Sequence, residues 1–347
     1  MSGFVSSFFS RTLGCLRRVF ARGNVFAVAP LVLAISGCGP SKPVEENREL
    51  VVYSAGPREL AEWVCAAFEK ETGSKTRLFV ATTGEVMAKL QAEESHPVAD
   101  VVILASSIAA EVLKQSDALS PLPELPATPP SEWLDSDRRY AGTSASALGI
   151  AVRTDHLGEI RDWDDVFAGR VSGSLIMPSP SQSGTSGEFV TAAHLAMGEK
   201  LWDGLKTAKK GGLQISGPNS QALTSLILGS HVAVLAAADY LVFKQIERGE
   251  PLAMVFPPSG CPVIPRPIAI LRGAHNPALA GKFVQFWFSR PVQEEIARQH
   301  LIPAIADIPL SDLRRQAELH PLPLDPVQAV QVQREVLKRF RYEIERN

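Results

Sequence analysis

Residues 174–190 read SLIMPSPSQSGTSGEFV and contain a short apolar run, a polar loop and the start of a helix. The run at 174–177 predicts a β-strand, and apolar side chains at helical spacing predict a helix over 187–197. The loop between them is rich in hydroxyl side chains, which include those of Ser181, Ser183, Thr185 and Ser186. Backbone N–H groups at a helix N-terminus lack partners and lie at the positive end of the helix dipole. The hydroxyls could therefore cap the helix only, or they could help to hold an anion.

The same strand, loop and helix pattern recurs on both sides of this stretch. Upstream, apolar strands are predicted at 49–53, 76–80 and 101–104, and each is followed by a helix. Downstream, strands at 212–216 and 231–237 also lead into helices. This repetition is typical of α/β proteins, in which a mostly parallel sheet is flanked by helices.

Two further predicted strands indicate how the chain is divided into lobes. A strand at 147–152 carries the chain into a second lobe, and a strand at 262–271 brings it back. We therefore expect an α/β, two-lobed hinged fold in which each lobe is a mostly parallel sheet flanked by helices. The first lobe would comprise residues 49–146 and 263–347, and the second would comprise residues 147–262. Two crossings between lobes form a hinge, and ligands commonly bind in the cleft beside one.

Short polar residues follow five of the predicted strands, directly before a helix. They are Ser54, Thr82 and Thr83, Ser106 and Ser107, Ser181 to Ser186, and the pair Asp239 and Tyr240. Because ligands of open parallel sheets bind beyond the carboxyl ends of the strands, these residues are the candidate binding set. Several helix N-termini and hydroxyls together would suit an anion. Asp239 would face a ligand ammonium group or a metal, or would only cap its helix.

Composition limits the classes of partner. The chain of 347 residues is 45% hydrophobic and has a formal net charge of −2. Such a balance is ordinary for a globular protein and gives no reason to expect a nucleic acid or an anionic membrane surface as partner. The cysteine and histidine spacings do not predict a metal site, and we expect no cofactor. Cys65 and Cys261 could form one disulfide or remain free.

The N-terminal residues differ from the rest of the chain. A leader with four arginines precedes an apolar run at 25–35, which suits the core of a signal peptide. The following residues, up to Cys38, resemble the bacterial lipobox. This resemblance implies a signal peptide at 1–37, a lipid anchor on Cys38 and a tether at 38–48; the alternative is an ordinary signal peptide. We expect an exported protein, anchored to a bacterial membrane and facing the periplasm or the cell exterior.

Several segments together resemble the bacterial extracellular solute-binding proteins of ABC transporters, and among them the branch that holds ferric-iron-binding and 2-aminoethylphosphonate-binding proteins. The segments are LVVYSA at 50–55, FEKETG at 68–73, ADVV at 99–102, the Trp163 segment, SGTS at 183–186, GPNS at 217–220 and QIERG at 245–249. The resemblance implies a two-lobed clamp that closes on a solute and docks on a membrane permease. We expect it to be a monomer.

The resemblance also bears on the ligand. Ferric-binding members hold iron with two adjacent tyrosines, and only Tyr240 of the pair Asp239 and Tyr240 matches. Two other ligand positions of that branch also differ here, near Ser54 and at Ser106. We therefore expect a solute-binding lipoprotein of an ABC-type importer that captures a small anionic solute, an organophosphonate or phosphate-type compound. The alternative is a ferric-iron-binding protein that uses Tyr240.

Two other functional classes are alternatives to a transport protein. The segment GTSG at 184–187 superficially resembles the nucleophile elbow of hydrolases, but that motif needs glycine where this chain has Glu188. No histidine follows any of the five strands, so Ser186 lacks an evident base, and we do not expect an enzyme. A lipoprotein that senses its ligand without feeding a transporter remains an alternative.

Overall fold

The computed structural model describes residues 49–171 and 173–346. The expected signal peptide at 1–37, Cys38 and the tether at 38–48 lie outside the described residues. Within the described part of the chain, none of the helices combines the length and the hydrophobicity needed to cross a bilayer.

The described residues contain twelve strands, numbered in chain order. They are β1 (Glu49–Ser54), β2 (Lys75–Val80), β3 (Val101–Ile103), β4 (Leu119–Ser120), β5 (Tyr140–Arg153), β6 (Leu175–Pro178), β7 (Gln214–Ser216), β8 (Ala233–Ala238), β9 (Leu252–Val255), β10 (Cys261–Leu271), β11 (Ile302–Pro303) and β12 (Pro321–Leu322).

The same residues contain twelve α-helices. They are α1 (Arg58–Thr72), α2 (Thr83–Ala92), α3 (Ser107–Gln115), α4 (Trp163–Phe167), α5 (Gly184–Met197), α6 (Glu199–Lys210), α7 (Asn219–Ile227), α8 (Asp239–Glu247), α9 (Pro277–Trp287), α10 (Arg290–Arg298), α11 (Asp312–Arg315) and α12 (Pro326–Phe340). A π-helical turn, Arg341–Glu345, follows α12.

The strands are ordered β2-β1-β3-β10-β5-β8-β6-β7 across the sheet. On one side β1 is parallel to both β2 and β3, and on the other β6 is parallel to both β7 and β8. Strands β5 and β10 lie antiparallel between these two groups. The expected α/β fold with two mostly parallel sheets is confirmed, and β5 and β10 are the strands that join the lobes.

Strand β5 belongs to both lobes because it changes partners along its length. Residues from Tyr140 to Ala147 pair with β10, whereas residues from Leu148 to Val152 pair with β8. The sequence predicted only the second part of this strand. The first part, at 140–146, reads YAGTSAS, and its small and hydroxyl-bearing side chains lack the apolar pattern that marks a strand.

The hydrophobic core covers both faces of the sheet. The larger cluster includes Phe68 and Phe283 from the first lobe and Trp163 and Trp202 from the second. A smaller cluster packs the opposite face of β1 and β3, against helices α2 and α3. Packing between the lobes is close enough that the described residues form one compact unit.

Helix α5 begins at Gly184, three residues before the sequence predicted. Ser183 is its N-cap, because the Ser183 hydroxyl accepts a hydrogen bond of 3.1 Å from the N–H of Ser186. The hydroxyl residues Thr185 and Ser186 therefore lie inside the first helical turn rather than in the preceding loop. The sequence did not predict β9, which has only four residues and follows Pro251 directly.

Candidate binding site between the lobes

The N-terminus of α5 lies where the two lobes meet. Its cap uses the Ser183 hydroxyl for the N–H of Ser186 and the Ser183 carbonyl for the N–H of Gly187. The N–H groups of Gly184 and Thr185, the first two residues of the helix, have no partner within the helix. These two donors and the positive end of the helix dipole are suited to an anion.

A cluster of uncharged polar side chains surrounds this helix end. The Ser183 hydroxyl lies 3.0 Å from the Thr185 hydroxyl and 3.1 Å from Oδ1 of Asn219. The Asn219 amide donates a 2.9 Å hydrogen bond to the Thr185 hydroxyl. Asn219 is the first residue of α7, so this cluster, hereafter the Ser183 cluster, joins the N-termini of two helices of the second lobe.

The first lobe touches this helix end through Thr83. A Cβ atom built at Gly184 would lie 2.6 Å from the Thr83 hydroxyl, so the two residues are in close contact. Thr83 is the first residue of α2, and its hydroxyl accepts a 3.3 Å hydrogen bond from the N–H of Ala105. Thr82 caps α2 in a reciprocal arrangement with Glu85. The expected residues Thr83, Ser183 and Thr185 thus come together at the lobe junction.

A carboxylate of the protein itself occupies the N-terminus of α3. Oε1 of Glu188, on α5 of the second lobe, accepts hydrogen bonds from the Ser106 hydroxyl at 2.9 Å, the Ser107 hydroxyl at 3.0 Å and the N–H of Ile108 at 2.7 Å. Ser106 and Ser107 therefore donate to a carboxyl group of the other lobe, at the place where the sequence predicted a solute. This contact links the lobes instead of leaving α3 open to a solute.

Burial dominates the electrostatics of Glu188, whose side chain is inaccessible to solvent. Loss of hydration raises the pKa of this carboxyl to about 7, although the hydrogen bonds from Ile108, Ser106 and Ser107 act in the opposite direction. Its other oxygen, Oε2, is buried and makes no hydrogen bond with the described residues. Glu188 is therefore poised to change its protonation state near neutral pH.

Asp239 is engaged inside the protein. Its carboxylate accepts hydrogen bonds from the N–H of Tyr240 at 2.6 Å and from the N–H of Ala147 at 2.7 Å. It also forms a 2.7 Å ion pair with Arg314, and both side chains are buried. These contacts use the carboxylate to fix α8 against the crossing strand β5. In this structure the Asp239 carboxylate therefore faces Arg314 and two backbone N–H groups, where the sequence suggested a ligand ammonium group or a metal.

Three other expected residues form hydrogen bonds within their own segments. The Ser54 hydroxyl accepts from the N–H of Gly56 at 3.1 Å, and the buried Ser186 hydroxyl donates to the carbonyl of Pro178 at 2.7 Å. Ser181 is exposed, and its hydroxyl lies 2.8 Å from that of Ser179. Each of these hydroxyls makes a local contact that stabilises its own segment.

Tyr240 is buried and has a cationic neighbour that was not predicted from the sequence. The guanidinium of Arg266 lies over its ring, 5.0 Å from the ring centroid. Asn219 and Glu188 were missed as site residues as well. A charged residue inside the otherwise apolar strand β10 was the sequence signal for Arg266, whereas the partners of Asn219 and Glu188 depend on tertiary contacts.

Neither a clustered metal site nor a disulfide is present among the described residues. These residues contain no group of three His, Cys, Asp or Glu side chains placed to hold a metal ion. Cys65 and Cys261 are free and buried. Burial raises the pKa of the Cys65 thiol to about 11 and that of the Cys261 thiol to about 12, so both are protonated at neutral pH.

Comparison with known proteins identifies the family. The sequence model described as bacterial extracellular solute-binding protein matches residues 50–301. The chain belongs to this family. A probable ABC transporter periplasmic-binding protein of Sinorhizobium fredii is 24% identical to this solute-binding protein over 288 residues, which cover 78% of this chain and 77% of the relative.

Solved structures show the same fold. The ferric binding protein from Campylobacter jejuni superposes with a TM-score of 0.75 at 20% identity and covers 85% of this chain and 99% of its own. The periplasmic binding protein AfuA from Actinobacillus pleuropneumoniae, with exogenous fructose-6-phosphate bound, superposes with a TM-score of 0.76 at 21% identity and covers 85% and 98%. The family and the fold of this chain are those of binding proteins rather than enzymes.

Proposed function

We propose that this protein is the solute-binding component of an ABC-type importer and that it captures a small anionic solute of the organophosphonate or phosphate type between its lobes. Membership of the extracellular solute-binding family supports the general role. The name of the Sinorhizobium fredii relative supports a link to an ABC transporter. A related fold with a bound sugar phosphate, in AfuA, supports a phosphate-type ligand.

The observation that carries the ligand class is the Ser183 cluster. It groups two hydroxyls and an amide, which hydrogen-bond to one another, with the N–H groups of Gly184 and Thr185, which have no partner within the 14-residue helix that they begin. Hydrogen bonds to a charged ligand are worth about 1.5–3 kcal/mol each, and a helix N-terminus adds about 0.3–1 kcal/mol. Three or four such contacts reach the roughly 8 kcal/mol of a micromolar complex.

Capture occurs by closure of the lobes around the crossing strands β5 and β10. In this structure Thr83 of the first lobe meets Gly184 of the second, and Ser106 meets Glu188, so that opening of the lobes would separate both pairs. A solute stabilises this closed form through the contacts that it adds there and lacks in an open form. The closed form is the one that would dock on a permease.

We further propose that the protein is exported, anchored through a lipid on Cys38 and active as a monomer. The leader and the lipobox-like residues that end at Cys38 support this assignment. Mass spectrometry of the membrane fraction tests it, because Cys38→Ala should abolish the mass added by acylation and release the protein. Genes for a permease and an ATPase in the same operon would favour an importer over a sensor.

The ligand class is tested by titrating a soluble form that begins after Cys38 with inorganic phosphate, 2-aminoethylphosphonate, fructose 6-phosphate and ferric citrate. We expect at least one phosphorus oxyanion to raise the melting temperature and to release heat on binding. Thr185→Val, which keeps the side-chain volume, should weaken that binding at least about ten-fold because it removes one hydrogen bond to a charged ligand.

The exposed Thr207 on α6 provides the matched control, and Thr207→Val should bind as the unmodified protein does. Stabilisation by ferric citrate alone would overturn the anion assignment and favour the ferric-iron alternative through Tyr240. No effect of any of the phosphorus oxyanions at about 1 mM, far above a micromolar dissociation constant, would also contradict it.

A further inference from the structure

Arg266 is a buried arginine on a strand that joins the two lobes. It lies on β10 at an irregularity in the pairing with β5, between Pro265 and Pro267, and only 3% of its surface is exposed. Its carbonyl accepts a 3.1 Å hydrogen bond from the Thr143 hydroxyl, which fixes the backbone at this point. The side chain is therefore held beside the hinge.

The Arg266 guanidinium lacks a counter-charge among the residues that the structure describes. Its side chain forms neither an ion pair nor a hydrogen bond with them, and Nε is fully buried without a partner. The guanidinium lies over the ring of Tyr240, 5.0 Å from the ring centroid. An aromatic face attracts a guanidinium and fixes its plane, but it does not neutralise the charge.

A second buried arginine, Arg314, lies beside helix α8 and has a structural role. Arg314 is 4% exposed, forms a 2.7 Å ion pair with Asp239 and also donates a 2.6 Å hydrogen bond to the carbonyl of His300. Asp239 and Tyr240 are the first two residues of α8. The start of this helix therefore has two buried guanidinium groups and one carboxylate, which leaves one positive charge unpaired.

An unpaired buried charge is costly, and arginine cannot escape the cost by losing its proton. A partner from outside the chain removes the cost. Arg266 is well placed for such a partner. Its neighbour Tyr240 directly follows strand β8, which is parallel to β6, and β6 is in turn parallel to β7. The carboxyl ends of these three strands share one edge of the sheet, which is also the edge that carries the Ser183 cluster.

We propose that Arg266 binds the oxyanion of the solute and makes the site selective for a phosphoryl or phosphonyl group. This inference rests on the proposed function. The planar fork of the guanidinium donates two parallel hydrogen bonds to two oxygens of such a group, and Tyr240 holds the fork in position. The uncharged Ser183 cluster supplies further donors, whereas Arg266 supplies the charge that compensates that of the ligand.

The experiment compares Arg266→Gln and Arg266→Lys with Arg272→Gln, which changes an exposed arginine just after the end of β10. Melting temperatures are measured without ligand, and affinities for inorganic phosphate and 2-aminoethylphosphonate are measured by calorimetry. We expect Arg266→Gln to melt no lower than the unmodified protein without ligand, because an unpaired charge is removed. It should bind the anions at least about thirty-fold more weakly.

The two remaining variants separate the role of the guanidinium fork from that of positive charge alone. Arg266→Lys keeps the charge but loses the fork, so its affinity should fall at least about ten-fold, while Arg272→Gln should bind normally. Affinity of Arg266→Gln within three-fold of that of the unmodified protein, or a fall of several degrees in its melting temperature without ligand, would overturn the assignment. Failure of Arg266→Gln to fold counts as such a fall, and full affinity of Arg266→Lys would overturn the assignment by itself.

The outcomes also separate this inference from the proposed function. If the unmodified protein binds neither anion, the proposed function fails and the role of Arg266 fails with it. If the unmodified protein and Arg266→Gln bind the anions equally, the proposed function stands and only the assignment of the charge to Arg266 is lost.

Discussion

The hydroxyl of Ser106 donates a 2.9 Å hydrogen bond to Oε1 of Glu188 and thereby joins α3 of the first lobe to α5 of the second. The Ser107 hydroxyl and the N–H of Ile108 donate to the same oxygen. Three donors on one carboxylate oxygen favour the charged form, but complete burial disfavours it more strongly, and the pKa of Glu188 is raised to about 7. Bringing the lobes together therefore places a titratable group in their interface.

The first prediction concerns pH. Because the pKa of Glu188 is raised from 4.5 to about 7, the folded form binds its proton more tightly than the unfolded chain does. The stability that this proton provides is fully present below pH 4.5 and is lost as the pH rises through 7. We expect the free energy of unfolding of the ligand-free protein to fall by about 1–3 kcal/mol between pH 5 and pH 8, as measured by urea denaturation.

Glu188→Gln should remove this decrease, because glutamine keeps an oxygen acceptor for the three donors and does not titrate. Glu62→Gln changes an exposed carboxylate on α1 and should keep the decrease. The same pH dependence in Glu188→Gln as in the unmodified protein would show that Glu188 does not titrate in this range.

The repeated strand and helix pattern was sufficient to predict the fold. Each βα unit has its own apolar strand, polar loop and amphipathic helix, so the parallel pairing of β1 with β2 and of β6 with β7 follows from local sequence and known connection rules. The first half of β5 could not be predicted, because YAGTSAS carries few apolar side chains and is a strand only through its pairing with β10.

The candidate site could be predicted only in part, since a hydroxyl at a strand end indicates position but not partner. Ser183 and Thr185 lie with Thr83 at the junction of the lobes, as their places after strands indicated. Asp239 also directly follows a strand, yet its carboxylate forms an ion pair with Arg314, which lies 75 residues further along the chain. Such a pairing depends on tertiary packing, and local sequence carries no signal for it.

The second prediction tests the contact between the lobes at Gly184. A Cβ atom there would lie 2.6 Å from the Thr83 hydroxyl and 2.8 Å from the Thr83 Cβ atom, so Gly184→Ala forces the lobes apart. Alanine favours the helix itself, and folding should be preserved. With ligand present, we expect Gly184→Ala to have a larger radius of gyration in small-angle scattering than the unmodified protein. Its affinity for the anion should be at least about ten-fold lower.

The matched control for this prediction lies one turn along the same helix. A Cβ atom at Gly187 would meet the Pro180 carbonyl at 3.6 Å and the Leu337 side chain at 3.8 Å, which are ordinary contact distances. Gly187→Ala should therefore close and bind normally. Unchanged affinity and scattering in Gly184→Ala would mean that closure does not bring Thr83 against α5.

The third prediction concerns the buried ion pair of Asp239 and Arg314. Asp239→Asn keeps oxygen and volume but leaves the Arg314 guanidinium without a counter-charge, and breaking a buried pair in this way costs about 3–5 kcal/mol. We expect a decrease of that size in the free energy of unfolding, measured by urea denaturation with tryptophan fluorescence. Asp312→Asn breaks the exposed pair with Arg315 and should cost less than about 1 kcal/mol. An Asp239→Asn protein as stable as the Asp312→Asn control would mean that Asp239 does not anchor Arg314, and its carboxylate would again be a candidate for binding the solute.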